Sequence, residues 1–295
     1  MLSILIPTYN YDTFELALEL HKQAIKAHIV FELLVYDDGS TLPIINNTKI
    51  EDLTFAKFRA LEKNIGRSAI RNLLANDAKY NWLLFLDADT KIINKNFIQV
   101  YLNEIKNTSS QIVYGGISYQ KNKPSNNQML RWVYGKKREA LKVSDRNENP
   151  HLRFLTLNFL SKKEVFNHIK FNIDIPNLRH EDTLFALDAK KKNISIKHIN
   201  NTVLHLGLES SVVFLKKSEE ATNVLYSFVK QKLVKPKDTA LSRFANLLTK
   251  YKLHLIIILI YSVLKNPIKK QLLSNSPSLI LFDFYRLGYY LSLPK

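Results

Sequence analysis

The chain is expected to fold as an α/β domain built on a mixed, mainly parallel, Rossmann-like sheet flanked by helices, with a helical extension at its C-terminal end. Short apolar runs alternate with stretches of helical period, and polar or acidic clusters close several of the runs. Beyond about residue 210 the strand pattern gives way to a helical and basic one. Strand–helix alternation produces βαβ units, whose strands run parallel. Ligands of such sheets gather at the carboxyl ends of the strands.

Strand-like runs fall at Leu2–Ile6, Phe31–Tyr36, Phe55–Leu61, Trp82–Leu86 and Gln111–Ile117. Helical periods occupy Phe14–His28, Ser68–Lys79 and Asn96–Lys106. Gln120–Gln128 and Val143–Arg153 read as loops around a basic helix near Met129–Leu141. A strand near Phe154–Ser161, a helix after Glu181 and a strand-like run from Ile194 to Leu206 follow. From Val212 onward the pattern is helical and punctuated by Pro236, Pro267 and Pro277. A boundary near 210 is therefore expected, dividing a domain over 1–210 from a basic helical region over 211–295. Within that region, residues 238–265 read as one helix, amphipathic first and then apolar nearly all round.

Composition narrows the class. Of the 295 residues, 46% are hydrophobic and 23% charged, which excludes a disordered chain. The net charge is +17, and residues 211–295 hold 14 Lys and Arg against 4 Asp and Glu. Such an excess favours contact with anionic lipid, nucleic acid or a phosphorylated substrate. Part of it is compositional bias, since 33 of the 43 cations are Lys in a chain also rich in Asn and Ile. The absence of cysteine excludes disulfides, thiolate metal sites and thiol nucleophiles, and fits a reducing compartment. Met1-Leu2-Ser3-Ile4-Leu5-Ile6 lacks the basic start of a signal peptide. The longest apolar-dominated stretch, Leu253 to Leu264, has 12 residues, short of the ~20 of a spanning helix. The expectation is a cytoplasmic protein with a peripheral attachment to the inner face of the plasma membrane.

Four clusters carry the chemistry. Pro7-Thr8-Tyr9-Asn10 leaves the first strand, and Asp37-Asp38-Gly39-Ser40 leaves the second. Gly66-Arg67-Ser68 opens a helix that continues through Arg71 and Asn72, and Asp87-Ala88-Asp89 ends the apolar run Trp82–Leu86. Asp-Asp-Gly-Ser is also ordinary turn chemistry. Carboxylates one residue apart repel unless a cation or protons intervene. Both can turn towards a divalent ion that also holds substrate phosphates. Arg67 and Arg71 share a helix face near its start, either as a solvated basic face or, with the helix amino terminus, as a seat for diphosphate.

In letters, order and interval these clusters resemble the family 2 glycosyltransferases of GT-A fold. The similarity continues at Arg179-His180-Glu181-Asp182 and at Val203-Leu204-His205-Leu206-Gly207, and so covers roughly residues 1–210. The resemblance implies an inverting transfer of sugar from a nucleotide-sugar donor, UDP-linked, to an acceptor hydroxyl. It implies a divalent cofactor, Mn or Mg, and a glycan or lipid-linked acceptor in the assembly of cell-surface polysaccharide or glycan. Thr8, Tyr9 and Asp38 would hold the base, Asp87 would sit near the ribose and metal, and Pro7, Gly66, Arg67, Arg71 and Ala88 would line the rest of the nucleotide sugar. Asp89 would bind the metal, with His205 completing its site or touching the diphosphate, unless His205 is simply a structural strand residue. Asp182 would be the catalytic base, with Glu181 as the other candidate.

Two rival classes share some of these features. A nucleotidyltransferase would show acidic metal ligands on an α/β sheet, but with a glycine-rich loop after the first strand that Pro7-Thr8-Tyr9-Asn10 does not provide. A nucleic-acid-binding protein would fit the charge, yet the sequence shows no nucleic-acid motif, so a nucleic acid partner is not expected. Lys250, Lys252, Lys265, Lys269 and Lys270 flank the apolar tail segment. That pattern suits either an interfacial helix on an anionic membrane surface or a helix packed onto the protein.

Overall fold

Each apolar run that ends in a polar cluster forms a strand in the computed structural model of the chain, which describes residues 1–42, 44–175 and 179–294. The strands are β1 (Leu2–Thr8), β2 (Phe31–Asp37), β3 (Ala56–Ala60), β4 (Trp82–Leu86), β5 (Thr90–Ile92), β6 (Ile112–Tyr114), β7 (Ile117–Ser118), β8 (Asn158–Lys162), β9 (Ile196–His198) and β10 (Val203–His205). The helices are α1 (Phe14–Lys26), α2 (Ile45–Thr48), α3 (Arg67–Asp77), α4 (Phe97–Asn107), α5 (Met129–Tyr134), α6 (Val143–Asn147), α7 (Val165–His168), α8 (Glu181–Lys191), α9 (Ser211–Lys230), α10 (Ala240–Lys250), α11 (His254–Leu272) and α12 (Leu279–Ser292). The chain divides into two units. One comprises Met1–Tyr119, Ala140–Asn177 and Glu181–Gly207, and the other Gln120–Glu139, Leu178–His180 and Leu208–Lys295.

The first unit is a mixed, mainly parallel α/β structure. Its seven-stranded sheet has the order β3-β2-β1-β4-β8-β6-β9, so β3 and β9 are its edges. Every neighbouring pair is parallel except those made by β8, which runs against both β4 and β6. The chain adds β2 and β3 on one side of β1 and then crosses to place β4 on the other. That reversal is a topological switch point, and it opens a crevice at the carboxyl ends of β1 and β4. In register, Thr8 closes β1 opposite Asp37 of β2. Leu2, Ile4, Leu5 and Ile6 of β1 and Leu83–Leu86 of β4 are fully buried, as strands covered on both faces require. A second sheet, β5-β10-β7, holds β10 antiparallel to β5 and parallel to β7.

Four expectations are corrected by the structure. The run Gln111–Ile117 is two strands, β6 in the main sheet and β7 in the second. The run Ile194–Leu206 is two strands in two sheets, with the backbone between them passing from one sheet to the other. Asn158 makes that crossing possible: its amide donates to the carbonyls of Gly116 and Asn201 at 2.9 and 2.8 Å. The stretch Val143–Arg153, expected as a loop, begins with α6, which carries the buried Arg146. That guanidinium donates to the carbonyl of Ile199 at 2.8 Å and lies 5.2 Å from the Tyr114 ring centroid. Residues 238–265 are two helices rather than one, bent by 117° between α10 and α11. Lys252 turns the corner at φ 59°, and Leu253 N–H donates to Leu248 C=O at 2.9 Å. This is the six-to-one bond that closes a helix through a left-handed residue.

The second unit is helical. Leu130 of α5, Phe214 and Leu215 of α9, Tyr261, Ile268 and Leu272 of α11, and Phe282 and Tyr285 of α12 form its core. Gly288 lets α12 close on α11, because a side chain there would collide with the Tyr261 ring. Tyr285 Oη donates to Glu219 Oε1 at 2.6 Å, and Arg138 pairs with Asp283 at 2.5 Å.

An aromatic stack joins α8 to the main sheet of the first unit. Phe85 and Phe159 lie 4.8 Å apart on β4 and β8, Phe171 and Phe185 lie 4.4 Å apart, and Phe166 bridges the two pairs. Each such pair contributes about 0.5–1.5 kcal/mol beyond area burial. Phe185→Ala is therefore expected to cost about 3–5 kcal/mol of stability, read as a lower midpoint in urea unfolding of the full chain.

Candidate functional site

Three of the four motif clusters converge because their strands end side by side, and α3 begins beside them. The loops after β1 and β2 are tied together: Asn10 N–H donates to Ser40 Oγ at 2.7 Å, and Thr41 N–H to Asn10 Oδ1 at 2.9 Å. Asp37 is spent on its own turn, accepting from Ser40 N–H at 2.9 Å and Ser40 Oγ at 2.6 Å. Asp38 instead reaches across to the entry of α3. Its Oδ1 accepts from Ile65 N–H at 2.7 Å and its Oδ2 from Gly66 N–H at 3.0 Å. Gly66 stands before the first turn of α3 at φ +95°, a backbone that side chains rarely adopt. Burial pushes the Asp38 pKa up, the two amides pull it back, and the charge of Asp37 raises it further. Each of its oxygens keeps a second lone pair for a ligand.

A cleft of about 600 Å³, open to solvent, lies at the switch point. Pro7, Thr8, Tyr9, Asp38, Arg67, Arg71, Asp87, Ala88 and Asp89 all line it. Gly66 stands behind the wall as the partner of Asp38. Tyr11 and Ile70 also line the cleft and were not singled out in the sequence. The position of Tyr11 one residue beyond Pro7-Thr8-Tyr9-Asn10 was the available signal. Burial raises the Tyr11 pKa, followed by the charges of Asp89 and Asp12.

The two arginines of α3 divide the work. Arg71 is buried, with its side chain 3% exposed, and it donates to Asp87 Oδ1 at 2.6 Å and to the Arg67 carbonyl at 3.1 Å. The Phe171 ring lies beneath it, and Asn72 fixes that segment by bonding both the N–H and the C=O of Phe171, at 3.0 and 2.8 Å. Arg67 is half exposed and lies 3.4 Å from Glu181 Oε1. Burial opposes its charge, but the carboxylates of Glu181, Asp87, Asp182 and Asp89 outweigh burial and hold its pKa above the usual value. Arg67 is thus the group that brings the start of α8 into one electrostatic site with the end of β4.

Asp182 is the second residue of α8, and its Oδ1 accepts from Thr183 N–H at 2.6 Å. Burial raises its pKa, and the neighbouring Glu181 charge raises it further. Glu181 is the more buried of the two, at 8% exposure. At the other end of the site, Asp89 Oδ2 lies 3.4 Å from His205 Nε2. Pairing of β10 with β5 sets that approach, since His205 stands opposite Thr90. Burial would raise the Asp89 pKa, but the hydrogen bond and charge of His205, and then the charge of Arg67, leave it lowered.

Among the described residues no three His, Cys, Asp or Glu side chains gather into a ready-made metal cage. The Asp89–His205 pair nonetheless suits a divalent ion. Adjacent ligands of an octahedral ion with bonds of ~2.1 Å stand about 3 Å apart, close to the 3.4 Å between these two atoms. An ion of this type keeps waters and substrate phosphates as its remaining ligands. His205 Nδ1 is buried without a hydrogen-bond partner, so no second contact fixes the ring's tautomer. Asp87 is engaged by Arg71 instead.

With the fold and cleft in place, the family follows. Residues 3–172 match glycosyl transferase family 2, and the chain belongs to that family. It is 26% identical over 232 residues to an uncharacterized glycosyltransferase of Haemophilus influenzae, covering 78% of this chain and 85% of that protein. Solved structures share the fold, which is that of the GT-A glycosyltransferases. The mannosyltransferase PcManGT of Pyrobaculum calidifontis, in complex with GDP-Man and Mn2+, superposes with a TM-score of 0.60 at 13% identity, covering 98% of this chain and 84% of its own. TarS 1-349 of S. aureus, in complex with UDP-GlcNAc, gives 0.51 at 22% identity, covering 76% of this chain and 66% of its own.

Removing one partner of a buried ion pair leaves an uncompensated charge and costs about 3–5 kcal/mol. Arg71→Ala should therefore lower stability on that scale in urea unfolding, whereas Arg67→Ala, half exposed, should lower it far less. The reverse ranking would assign the structural role to Arg67.

Proposed function

We propose that the chain is an inverting glycosyltransferase that moves a sugar from a UDP-linked donor to an acceptor hydroxyl of a glycan or lipid-linked glycan during cell-surface polysaccharide assembly. The observation that carries this reading is the cleft at the switch point, lined by eight of the nine residues assigned from sequence to the nucleotide sugar and also by Asp89. Family 2 membership favours sugar transfer over nucleotidyl transfer. A UDP donor is supported by the spare lone pairs of Asp38, which suit an imide N–H, and by the UDP-GlcNAc bound to TarS.

In this reading Pro7, Thr8 and Tyr9 flank the base and Asp38 accepts its hydrogen bond. Asp38 also holds the entry of α3, so the loop is set before the donor arrives. Arg67 faces the diphosphate from the first turn of α3, where the helix dipole adds to its charge. Arg71 acts as a positioning residue, fixing Asp87 and Ala88 at the end of β4. Asp89 and His205 would hold a divalent ion, Mn or Mg, which when bound neutralises the charge that grows on the leaving diphosphate. Asp182 takes the proton of the acceptor hydroxyl as that oxygen bonds to the anomeric carbon. The bond from that carbon to the diphosphate oxygen breaks, and attack from the opposite face inverts the centre.

Three outcomes test this. Asp182→Asn should keep donor binding and cut turnover by at least ~10²-fold, the usual scale for a lost general base. A dead Glu181→Gln beside an active Asp182→Asn would transfer the role to Glu181.

The pH dependence follows from the raised Asp182 pKa. A base must be ionised, so turnover should fall on acidification at a higher pH than an ordinary Asp would give. The same shift means the folded state holds this proton more tightly than the unfolded one. Stability is therefore lost as pH rises from the ordinary carboxylate pKa towards the folded one. Thermal melts at neutral pH should accordingly show Asp182→Asn more stable than the parent, and a less stable variant would contradict the shift.

Mn2+ with UDP should raise the melting temperature of the parent, by mass action on the folded state. Asp89→Asn and His205→Ala should each abolish the increment due to metal and leave that due to UDP alone. Full turnover in excess chelator would exclude a metal-dependent reaction.

A further inference from the structure

The second unit carries an apolar surface that its own core does not use. On α11, Leu255, Ile256, Leu259, Ile260, Val263 and Leu264 expose between 39% and 68% of their surface. Their spacing of one and four residues sets them in a single stripe along the helix. The roughly opposite face of α11, with Tyr261, Ile268 and Leu272, is packed into the core against Phe282 and Tyr285 of α12. The helix is thus already docked on one side and bare on the other. Phe244, Leu247 and Tyr251 of α10 and its C-terminal cap are also exposed. They lead into the corner at Lys252 and Leu253, both exposed as well. A contiguous exposed patch of this kind marks an interaction site.

The charge around the patch selects the occupant. Residues 239–278 contain six Lys and Arg and no Asp or Glu. Lys250, Lys252, Lys265, Lys269 and Lys270 are all exposed at the ends of the two apolar segments. A second copy docking through the same patch would bring its own cations to a rim that offers no carboxylate in this segment. Nucleic acid would meet the cations but would have no use for an aliphatic stripe. Among the described residues no single helix is long and apolar enough to cross a membrane. The bent α10–α11 pair passes that test by length and composition, but α11 carries Lys265, Pro267, Lys269 and Lys270 in its second half and is packed on α12.

We propose that the bare face of α11 and the adjoining face of α10 dock on an anionic lipid bilayer, with the aliphatic stripe at the acyl boundary and the lysines among the headgroups. The apolar residues supply burial and the cations supply attraction, which salt screens. This surface is independent of the reading of the cleft.

Flotation of the full chain with vesicles tests it, using phosphatidylcholine alone and phosphatidylcholine mixed with phosphatidylglycerol in equal parts. Strong recovery is expected on the anionic vesicles, with weak recovery on the neutral ones and release by salt. Lys265→Gln, Lys269→Gln and Lys270→Gln combined should weaken partitioning by on the order of a hundredfold, at about fivefold per lysine. Leu259→Glu with Val263→Glu should abolish it. Both variants alter exposed side chains only, and an unchanged melting temperature and far-ultraviolet circular dichroism spectrum will verify that they fold. Several results would overturn the proposal: no recovery on either vesicle, equal recovery of parent and variants, or resistance of the bound chain to alkaline extraction. A dimer in sedimentation that Leu259→Glu dissociates, with no vesicle binding, would assign the face to a second copy.

Discussion

Carboxylates gathered at the ends of strands cannot stay together without cations, and the arrangement of this site turns on how they are compensated. Asp87, Asp89, Glu181 and Asp182 all act on Arg67, and Asp87 is bound directly by Arg71. One helical turn of α3 supplies both guanidiniums. The buried arginine neutralises one acid permanently and packs on Phe171. The exposed one balances the rest from the wall of the cleft. An anionic ligand entering there would meet a cation whose charge the site already sustains, and the acids would keep their places.

That helix is itself fixed by an acid of the neighbouring strand. Asp38 satisfies the two amides that precede α3, at a point where Gly66 adopts a backbone few residues tolerate. Strand β2, the loop before α3 and the cleft wall are therefore one hydrogen-bonded assembly. At the far side, the phenylalanine stack between β4, β8 and α8 supports the helix that carries Glu181 and Asp182 from the core, in addition to the ion pair of Glu181 with Arg67. Polar and apolar supports thus reach the same site from opposite directions.

Much of this was legible in the residues, for identifiable reasons. The run Trp82–Leu86 is a strand at its anticipated bounds because five apolar residues end abruptly in Asp87-Ala88-Asp89. The helices after β1 and β3 begin within a residue of their expected starts, since helical period is a strong local signal. What local pattern could not carry was long-range. Nothing in Ile194–Leu206 announces that its halves belong to different sheets, because the group that permits the crossing, Asn158, lies far away in sequence. Arg146 lies in a stretch whose polar composition reads as a loop, yet it is buried against the Tyr114 ring and the Ile199 carbonyl. The corner at Lys252 escaped because a lysine in left-handed backbone has no compositional mark. In the cleft, the motif spacing placed the wall residues, but the opposite fates of Arg67 and Arg71 depend on Phe171, one hundred positions beyond Arg71.

The main sheet also stops growing for a reason visible in its own strands. Edge strand β3 exposes Lys57 and Arg59, and the opposite edge strand β9 exposes Lys197 between two buried neighbours. Arg59 is paired with Asp77 at 3.4 Å and Lys197 with Glu104 at 2.8 Å. A stray strand aligning with either border would have to accommodate long charged side chains and their partners, a common way for sheet edges to resist further pairing. Both borders of the sheet thus end in charged side chains held in place by their partners, a fence against open backbone pairing that needs no further element to cover it.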